Sequence, residues 1–241
     1  MEMLTTTTLS FSFYAFLGWM METLYATQKQ HEFVNRGFLK GPFCPIYGLG
    51  GLLVEQTFMT LERFSSSTLT TTMSGIFFSI LLVTILEYAT GSILENIFQK
   101  KWWDYSDEAF NLHGYICLRF SILWGLVAYV FMQAVQPIYQ QITGQLSSQT
   151  AEPLAMLLLA YFFIDATKTI TDLVDLRRVI IRCAEYPIDQ YVHKLMEHKR
   201  FFRAFPSLRQ LNAHVKNREI RRIFDKKYHT FKTDIKNKLS L

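Results

Sequence analysis

The sequence predicts an all-α membrane protein: five transmembrane helices, built as two parallel two-helix repeats plus one extra span, with a basic helical cytoplasmic tail. Three observations predict it. Charge is segregated along the 241 residues: residues 1–175 hold 8 Lys/Arg against 14 Asp/Glu, and residues 176–241 hold 17 against 6, so an apolar, mildly acidic front joins a basic tail. Five apolar runs in that front each approach the roughly 20 residues a helix needs to cross about 30 Å of hydrocarbon. The front also repeats itself at an offset of 73 residues.

The runs fall near 9–26, 43–61, 74–98, 115–136 and 153–175. They define a transmembrane bundle over 1–175, with repeat 1 at 9–61, repeat 2 at 74–136, the extra span at 153–175 and the tail over 176–241. The first run has no Lys or Arg ahead of it and no small-residue cleavage site behind it, so it reads as a retained helix and not as a removable signal. Lys29, Arg36 and Lys40 lie between runs one and two, Lys100 and Lys101 between three and four, and the basic tail follows run five. Arg63 alone lies in the opposite loops. The positive-inside rule therefore puts the amino terminus outside and the tail in the cytoplasm. Cys44 and Cys117 fall at cytoplasmic ends of spans and Cys183 in the tail, where thiols stay reduced and no disulfide framework is expected.

In the first repeat, run one carries Glu22 near its cytoplasmic end, and run two opens with GPFCP. Pro42 and Pro45 are tolerated only near the first turn of a helix, because a proline further in removes a backbone bond that lipid cannot replace. GPFCP therefore marks a helix start whose free N–H groups face a loop holding Arg36 and Lys40. A lipid phosphate, a substrate carboxylate, or Glu22 or Glu95 from within the protein suits that end; the internal partner satisfies both groups at once.

In the second repeat, Leu82, Gly91, Glu95, Leu112, Gly114, Cys117, Leu126, Val127, Phe131 and Met132 each match the identical residue 73 positions earlier. The polar matches carry the most weight: a G-x-x-x-E pair, then G-x-x-C, twice over. Two spans return the chain to its starting side, so both hairpins share one orientation, as in parallel-repeat transporters. The KWWDYS segment at 101–106 reads as an interfacial anchor. Arg119 has no mate in the first repeat and needs a carboxylate, for which Glu95 or Glu22 is the expectation.

Ionisable residues inside spans are costly and face a bundle interior or a water-filled path. Glu87 is expected two turns deeper than Glu95, and Asp165 lies mid-span in run five, where Lys168 can pair with both Asp165 and Asp172 as helix-packing glue. Glu22 and Glu95 are close enough to the interface to snorkel. Paired Cys and Glu residues fix no four-ligand set, so no metal and no cofactor is expected. The tail mixes bases with apolar residues, a pattern suited to the anionic inner leaflet or to a cytoplasmic partner; nucleic acid is not expected, because the positive-inside bias already accounts for the charge. The chain has no G-x-x-x-x-G-K-[ST], H-E-x-x-H, G-x-S-x-G or paired C-x-x-C, and reads as a non-enzyme, with an intramembrane enzyme built on Cys44 or Cys117 as the third reading.

The segment NRGFLKGPFCPIYGLGG at 35–51, with FLGWMMETLY before it and WWDYS and NLHGYICLRFSILWG after it, resembles the family of bacterial membrane proteins described as "putative ABC-transporter type IV". The resemblance covers residues 10–175. Glu22, Asn35, Arg36, Gly37, Gly41, Pro42, Cys44, Pro45, Tyr47 and Gly48 match the family's first motif, and Glu95, Trp103, Asp104, Tyr105, Ser106 and Gly114 its second. It implies a multi-pass, permease-like protein of the bacterial cytoplasmic membrane working with a separate ATPase subunit. The expected function is a permease-type transporter subunit with a polar layer at the cytoplasmic helix ends, drawn from Glu22, Glu95, Arg36, Gly41, Cys44, Gly114, Cys117, Arg119, Glu87 and Asp165. The alternative is a membrane-embedded regulatory or scaffold protein that organises a complex without transport. Lipid, a docked cytoplasmic protein and a second copy of the chain are the expected partners.

Overall fold

Threonine and serine hydroxyls carry the helices beyond the apolar runs. Thr6 and Thr8 donate to the carbonyls of Glu2 and Leu4, Ser12 to Thr8, and Ser74 to Thr70, four residues back in each case. A hydroxyl satisfied on its own helix in this way lets a polar stretch stay helical. In the computed structural model, which describes residues 2–64, 67–98, 101–185, 200 and 204, helix α1 thus spans Glu2–Gln30, α2 Pro45–Phe64 and α3 Thr68–Phe98. A two-stranded hairpin follows, β1 (Asn111–Leu112) and β2 (Ile116–Cys117), then α4 (Leu118–Val130), a π-helical turn (Phe131–Val135), α5 (Gln136–Thr143) and α6 (Ser148–Glu185). Of the expected tail, α6 covers the part through Glu185, Arg200 and Ala204 are described, and the remainder lies outside the described residues.

The all-helical expectation is corrected at one point. Asn111 pairs with Cys117 and Leu112 with Ile116, antiparallel, around a turn in which His113 (φ 54°) and Gly114 (φ 73°) are both left-handed. Two consecutive left-handed residues make the turn type that matches strand twist, and glycine takes that conformation without a Cβ clash. A second correction concerns run four, which ends at Gln136 by sequence but continues as helix through Thr143. Pro137 has no N–H to give, and the π turn just before it absorbs the missing bond without breaking the rod.

The expectation of five spans is also corrected. Among the described residues three helices are long and apolar enough to cross a membrane: Thr68–Phe98, Leu118–Thr143 and Ser148–Leu176. Helices α1 and α2 fall short because hydroxyls and carboxylates dilute them, and those groups point inward: Thr8, Ser10, Ser12 and Thr23 of α1 and Glu55 of α2 are buried. Around the apolar centre the polarity is inverted at many positions. Ser79, Glu87, Ser121, Gln136, Asp165 and Thr169 are buried, while Phe16, Leu24, Phe77, Ile85, Leu126 and Phe163 are exposed. A chain that hides its hydroxyls and shows its large apolar side chains suits a solvent of hydrocarbon, where bare polar groups are the costly ones.

Helix α1 packs on α2 and α6, α2 on α3, and α3 on α4. The α1–α2 contact depends on small residues: a Cβ on Gly18 would lie 2.2 Å from the Tyr47 ring, and one on Gly51 2.6 Å from the Tyr14 ring. Val54, Phe58 and Ala128 form the apolar centre, with Ile76, Val83, Phe131 and Met132 packed against it.

Candidate functional site

Residues 31–44 run back along the end of α1. The Val34 amide donates to the Thr27 hydroxyl (3.2 Å), Arg36 to Thr23 (3.4 Å), and the Cys44 amide to the Ala15 carbonyl (2.9 Å). Asn35 is the hub of this return. Its Oδ1 accepts from the Trp19 indole (2.8 Å) and the Gly37 amide (3.0 Å), and its Nδ2 donates to the Lys40 carbonyl (2.8 Å). The fold-back brings Arg36 within 3.3 Å of Glu22 Oε2, while the Tyr47 hydroxyl from the first turn of α2 donates to Glu22 Oε1 at 2.6 Å. Cys44, buried, immediately precedes α2, and Cys117, buried, immediately precedes α4 as its N-cap.

The connection 101–117 is likewise tightly built. Lys101 Nζ donates to the His113 carbonyl (2.7 Å), Trp103 Nε1 to the Tyr115 carbonyl (2.8 Å), and Asn111 Nδ2 to the carbonyls of Ser106 and Glu108. Asp104 accepts from the Ser106 hydroxyl (2.5 Å) and amide (3.0 Å). Partial burial works to raise the Asp104 carboxyl, but the Ser106 bonds and Lys101 outweigh it and hold the group below the usual carboxylate range. KWWDYS is therefore an internal brace and not a lipid anchor: Trp102 is buried between Phe38 and Phe98. A Cβ on Gly114 would lie 2.4 Å from Asp104 Oδ1, which explains a glycine at that matched position beyond its positive φ.

From this brace Tyr105 reaches into the bundle. Its hydroxyl donates to Glu87 Oε1 (3.2 Å), and the Trp124 indole donates to Glu87 Oε2 (3.0 Å). Burial, and then the Glu87 charge, push the Tyr105 phenol up, so that it keeps its proton and acts as donor. Trp124 also meets Tyr47 edge to face at 6.1 Å between centroids. One chain of groups thus crosses both hairpins: Arg36, Glu22, Tyr47, Trp124, Glu87, Tyr105. Glu87 makes no ion pair among the described residues; two neutral donors hold its buried carboxyl.

Asp165 on α6 is buried and receives four donors. These are the amides of Lys40 (3.1 Å) and Gly41 (2.9 Å) and the hydroxyls of Tyr161 (3.3 Å) and Thr169 (3.4 Å). An internal carboxylate does meet this region, but it is Asp165 and neither Glu22 nor Glu95, and it takes the amides of Lys40 and Gly41 ahead of α2, not those of the helix's first turn. Lys40 pairs with Asp172 at 2.6 Å, taking the role expected of Lys168, which is exposed. On the far side of the bundle, Glu55 accepts from Gln136 Nε2 (2.8 Å) and lies 3.1 Å from the Tyr14 hydroxyl, which is 2.5 Å from Gln136 Oε1. The π turn sets Gln136 into this network.

The expected polar layer is therefore divided. Glu22 and Arg36 belong with Glu87; Gly41 and Asp165 form a separate clamp beside Cys44. Glu95 stands apart: its Oε2 is buried without a hydrogen-bond partner among the described residues. Arg119 is exposed and pairs with Glu108 (3.4 Å), not with Glu95 or Glu22, because it emerges from α4 on the side of the 101–117 brace. Cys44 and Cys117 converge on no metal-binding group among the described residues. Sequence reasoning missed Tyr14, Trp124, Gln136 and Tyr161, since a tyrosine, tryptophan or glutamine in an apolar run carries no signal of what its polar tip meets; Tyr105 was picked out only as a motif position, without its partner Glu87.

A family model described as "Putative ABC-transporter type IV" matches residues 9–170, which covers both hairpins and most of α6. No curated protein and no solved structure matches the chain.

Proposed function

Because the chain belongs to the family described as "Putative ABC-transporter type IV", we propose that it is the membrane-embedded, permease-type subunit of a bacterial transporter. In this reading the three long apolar helices, α3, the α4–α5 rod and α6, cross the cytoplasmic membrane with α1 and α2 packed against them, the amino terminus outside and the carboxy terminus in the cytoplasm. The inverted polarity carries the reading: buried Glu55, Glu87 and Asp165 against exposed Phe16, Phe77 and Phe163. Large exposed apolar surface on all five helices fits lipid on every side, and an inward carboxyl without a cation fits a path through the bundle.

The two hairpins supply the symmetric frame of that path. Helices α2 and α4 begin 73 residues apart, right after the matched cysteines. Gly51 packs on Tyr14 in the first hairpin, and Trp124 bonds Glu87 in the second, at positions related by the same offset. The functional core is the line from Glu22 through Tyr47 and Trp124 to Glu87, with a separate ATPase subunit docking on the cytoplasmic side. The test is recovery of the chain from native membranes followed by reconstitution with whatever co-purifies. An ATPase whose turnover falls at least about tenfold with Glu87→Gln or Glu22→Gln, a loss of about 1.4 kcal/mol of coupling, supports the proposal. Recovery of a kinase or cell-envelope enzyme without an ATPase, or unchanged turnover in both variants, overturns it in favour of a scaffold.

A further inference from the structure

The peptide group joining Leu39 to Lys40 is bonded at both ends. Its N–H donates to Asp165 Oδ1 at 3.1 Å, and its C=O accepts from Arg200 Nη2. The same nitrogen of Arg200 donates to the Gly37 carbonyl at 2.8 Å. Arg200 belongs to the region beyond α6, 160 residues along the chain from Lys40, and Ala204 near it in sequence is 1% exposed. The loop therefore faces a carboxylate with its amides and a guanidinium with its carbonyls, and one peptide dipole lies between the two charges. Hydrogen bonds in series through a peptide polarise one another, and a charged partner at each end strengthens both.

From this arrangement we infer that Arg200 is the clasp by which the region beyond α6 controls the clamp on Asp165. With Arg200 seated, the Leu39–Lys40 peptide is oriented and polarised so that the amides of Lys40 and Gly41 hold α6 to the start of α2. Lys40 adds the side-chain pair with Asp172, about two turns further along α6. Withdrawal of Arg200, by a partner that takes the tail or by a competing anion, frees the carbonyls of Gly37 and Leu39 and weakens the grip on Asp165. Coupling of this kind is reciprocal: whatever loosens Asp165 also loosens Arg200. The inference concerns the loop alone and stands whether or not the protein transports.

Hydrogen–deuterium exchange of the full chain in lipid nanodiscs tests it. Arg200→Gln is expected to speed exchange at the Lys40 and Gly41 amides about tenfold, and Asp165→Asn to speed exchange at residues 200 and 204, with α3 unchanged in both. Arg200→Lys is expected to fall between, because an ammonium is a point charge without the planar fork of the guanidinium. Wild-type rates at Lys40 and Gly41 in Arg200→Gln, or at 200 and 204 in Asp165→Asn, overturn the inference. If Arg200→Gln also loosens α3, Arg200→Lys decides: faster Lys40 and Gly41 exchange over an unchanged α3 supports the clasp, and equal rates sink it.

Discussion

The Gly41 amide lies 2.9 Å from the Asp165 carboxylate, so the glycine that opens GPFCP is where α6 is fastened to the segment leading into α2. A Cβ at this position would lie 1.7 Å from the Tyr161 hydroxyl and 2.9 Å from Asp165 Oδ2. The tyrosine can swing away only by giving up its own bond to Asp165.

Three glycine substitutions should therefore rank in a fixed order. At Gly18 a Cβ meets the Tyr47 Cγ at 2.2 Å and its Cβ at 2.3 Å, and the Cβ cannot move without the α2 backbone, whereas at Gly50 the nearest atom is 3.8 Å away. Gly18→Ala is expected to cost the most, Gly41→Ala about 1–3 kcal/mol, and Gly50→Ala nothing measurable or a slight gain from helix propensity. Thermal unfolding in detergent checks the order; a Gly18→Ala protein as stable as Gly50→Ala would contradict the close approach.

Glu87 depends on two neutral donors, and each should be individually costly. Tyr105→Phe and Trp124→Phe each leave one carboxylate oxygen of a buried group unpaired, expected at about 1–3 kcal/mol apiece. Because both act on one carboxyl, the double variant should deviate from the sum by roughly 0.5 kcal/mol or more. Denaturant unfolding of the four proteins gives the coupling, and strict additivity would show that the two donors act independently.

The 101–117 brace should be acid-labile through Asp104. Its folded-state carboxyl is held below its ordinary value, so the contribution is fully present above the unfolded value of about 3.9. It is lost as pH falls through the depressed folded value. With half of the Asp104 side chain exposed, screening keeps the effect small. Exchange at the Ser106 amide should accelerate below about pH 4 in the wild type and be fast at every pH in Asp104→Asn; a transition that survives in Asp104→Asn would assign it to another group.

Arg119→Gln should be nearly silent. The side chain is 74% exposed and its partner Glu108 is at 3.4 Å, a geometry worth less than about 1 kcal/mol. Arg36→Gln, which strips the cation from a half-buried Glu22 also bonded to Tyr47, should cost more and slow any turnover that Glu22→Gln slows. Equal effects of the two would mean that the exposed pair was undervalued.

Much of the architecture was legible because helices in lipid are written in local patterns. The five apolar runs correspond to five long helices, and the cysteines of the offset repeat stand right before two helix starts. Hydropathy misjudged α1 and α2 as ordinary spans, since Thr8, Ser10, Ser12 and Glu55 spend their polarity inward, a fact no window average contains. The 111–117 hairpin was missed because strands of two residues leave no periodicity. Of the site residues, Glu22, Arg36, Glu87 and Asp165 were singled out as ionisable groups in or beside apolar runs, while their grouping was assigned by depth and repeat symmetry.

The sequence by itself determined the order of the long helices over residues 1–175 and the GPFCP helix start, because apolar runs and proline geometry are local properties. Only the tertiary structure decided which carboxylate meets that segment. Asp165 takes the place given to Glu22 or Glu95 because α6 packs against α1 and presents Asp165 to the amides of Lys40 and Gly41, more than a hundred residues away. Glu22 turns instead to Arg36 and Tyr47, and Glu87 to a tyrosine and a tryptophan. Pairing among buried polar groups follows the arrangement of helices in space, which no spacing along one helix encodes.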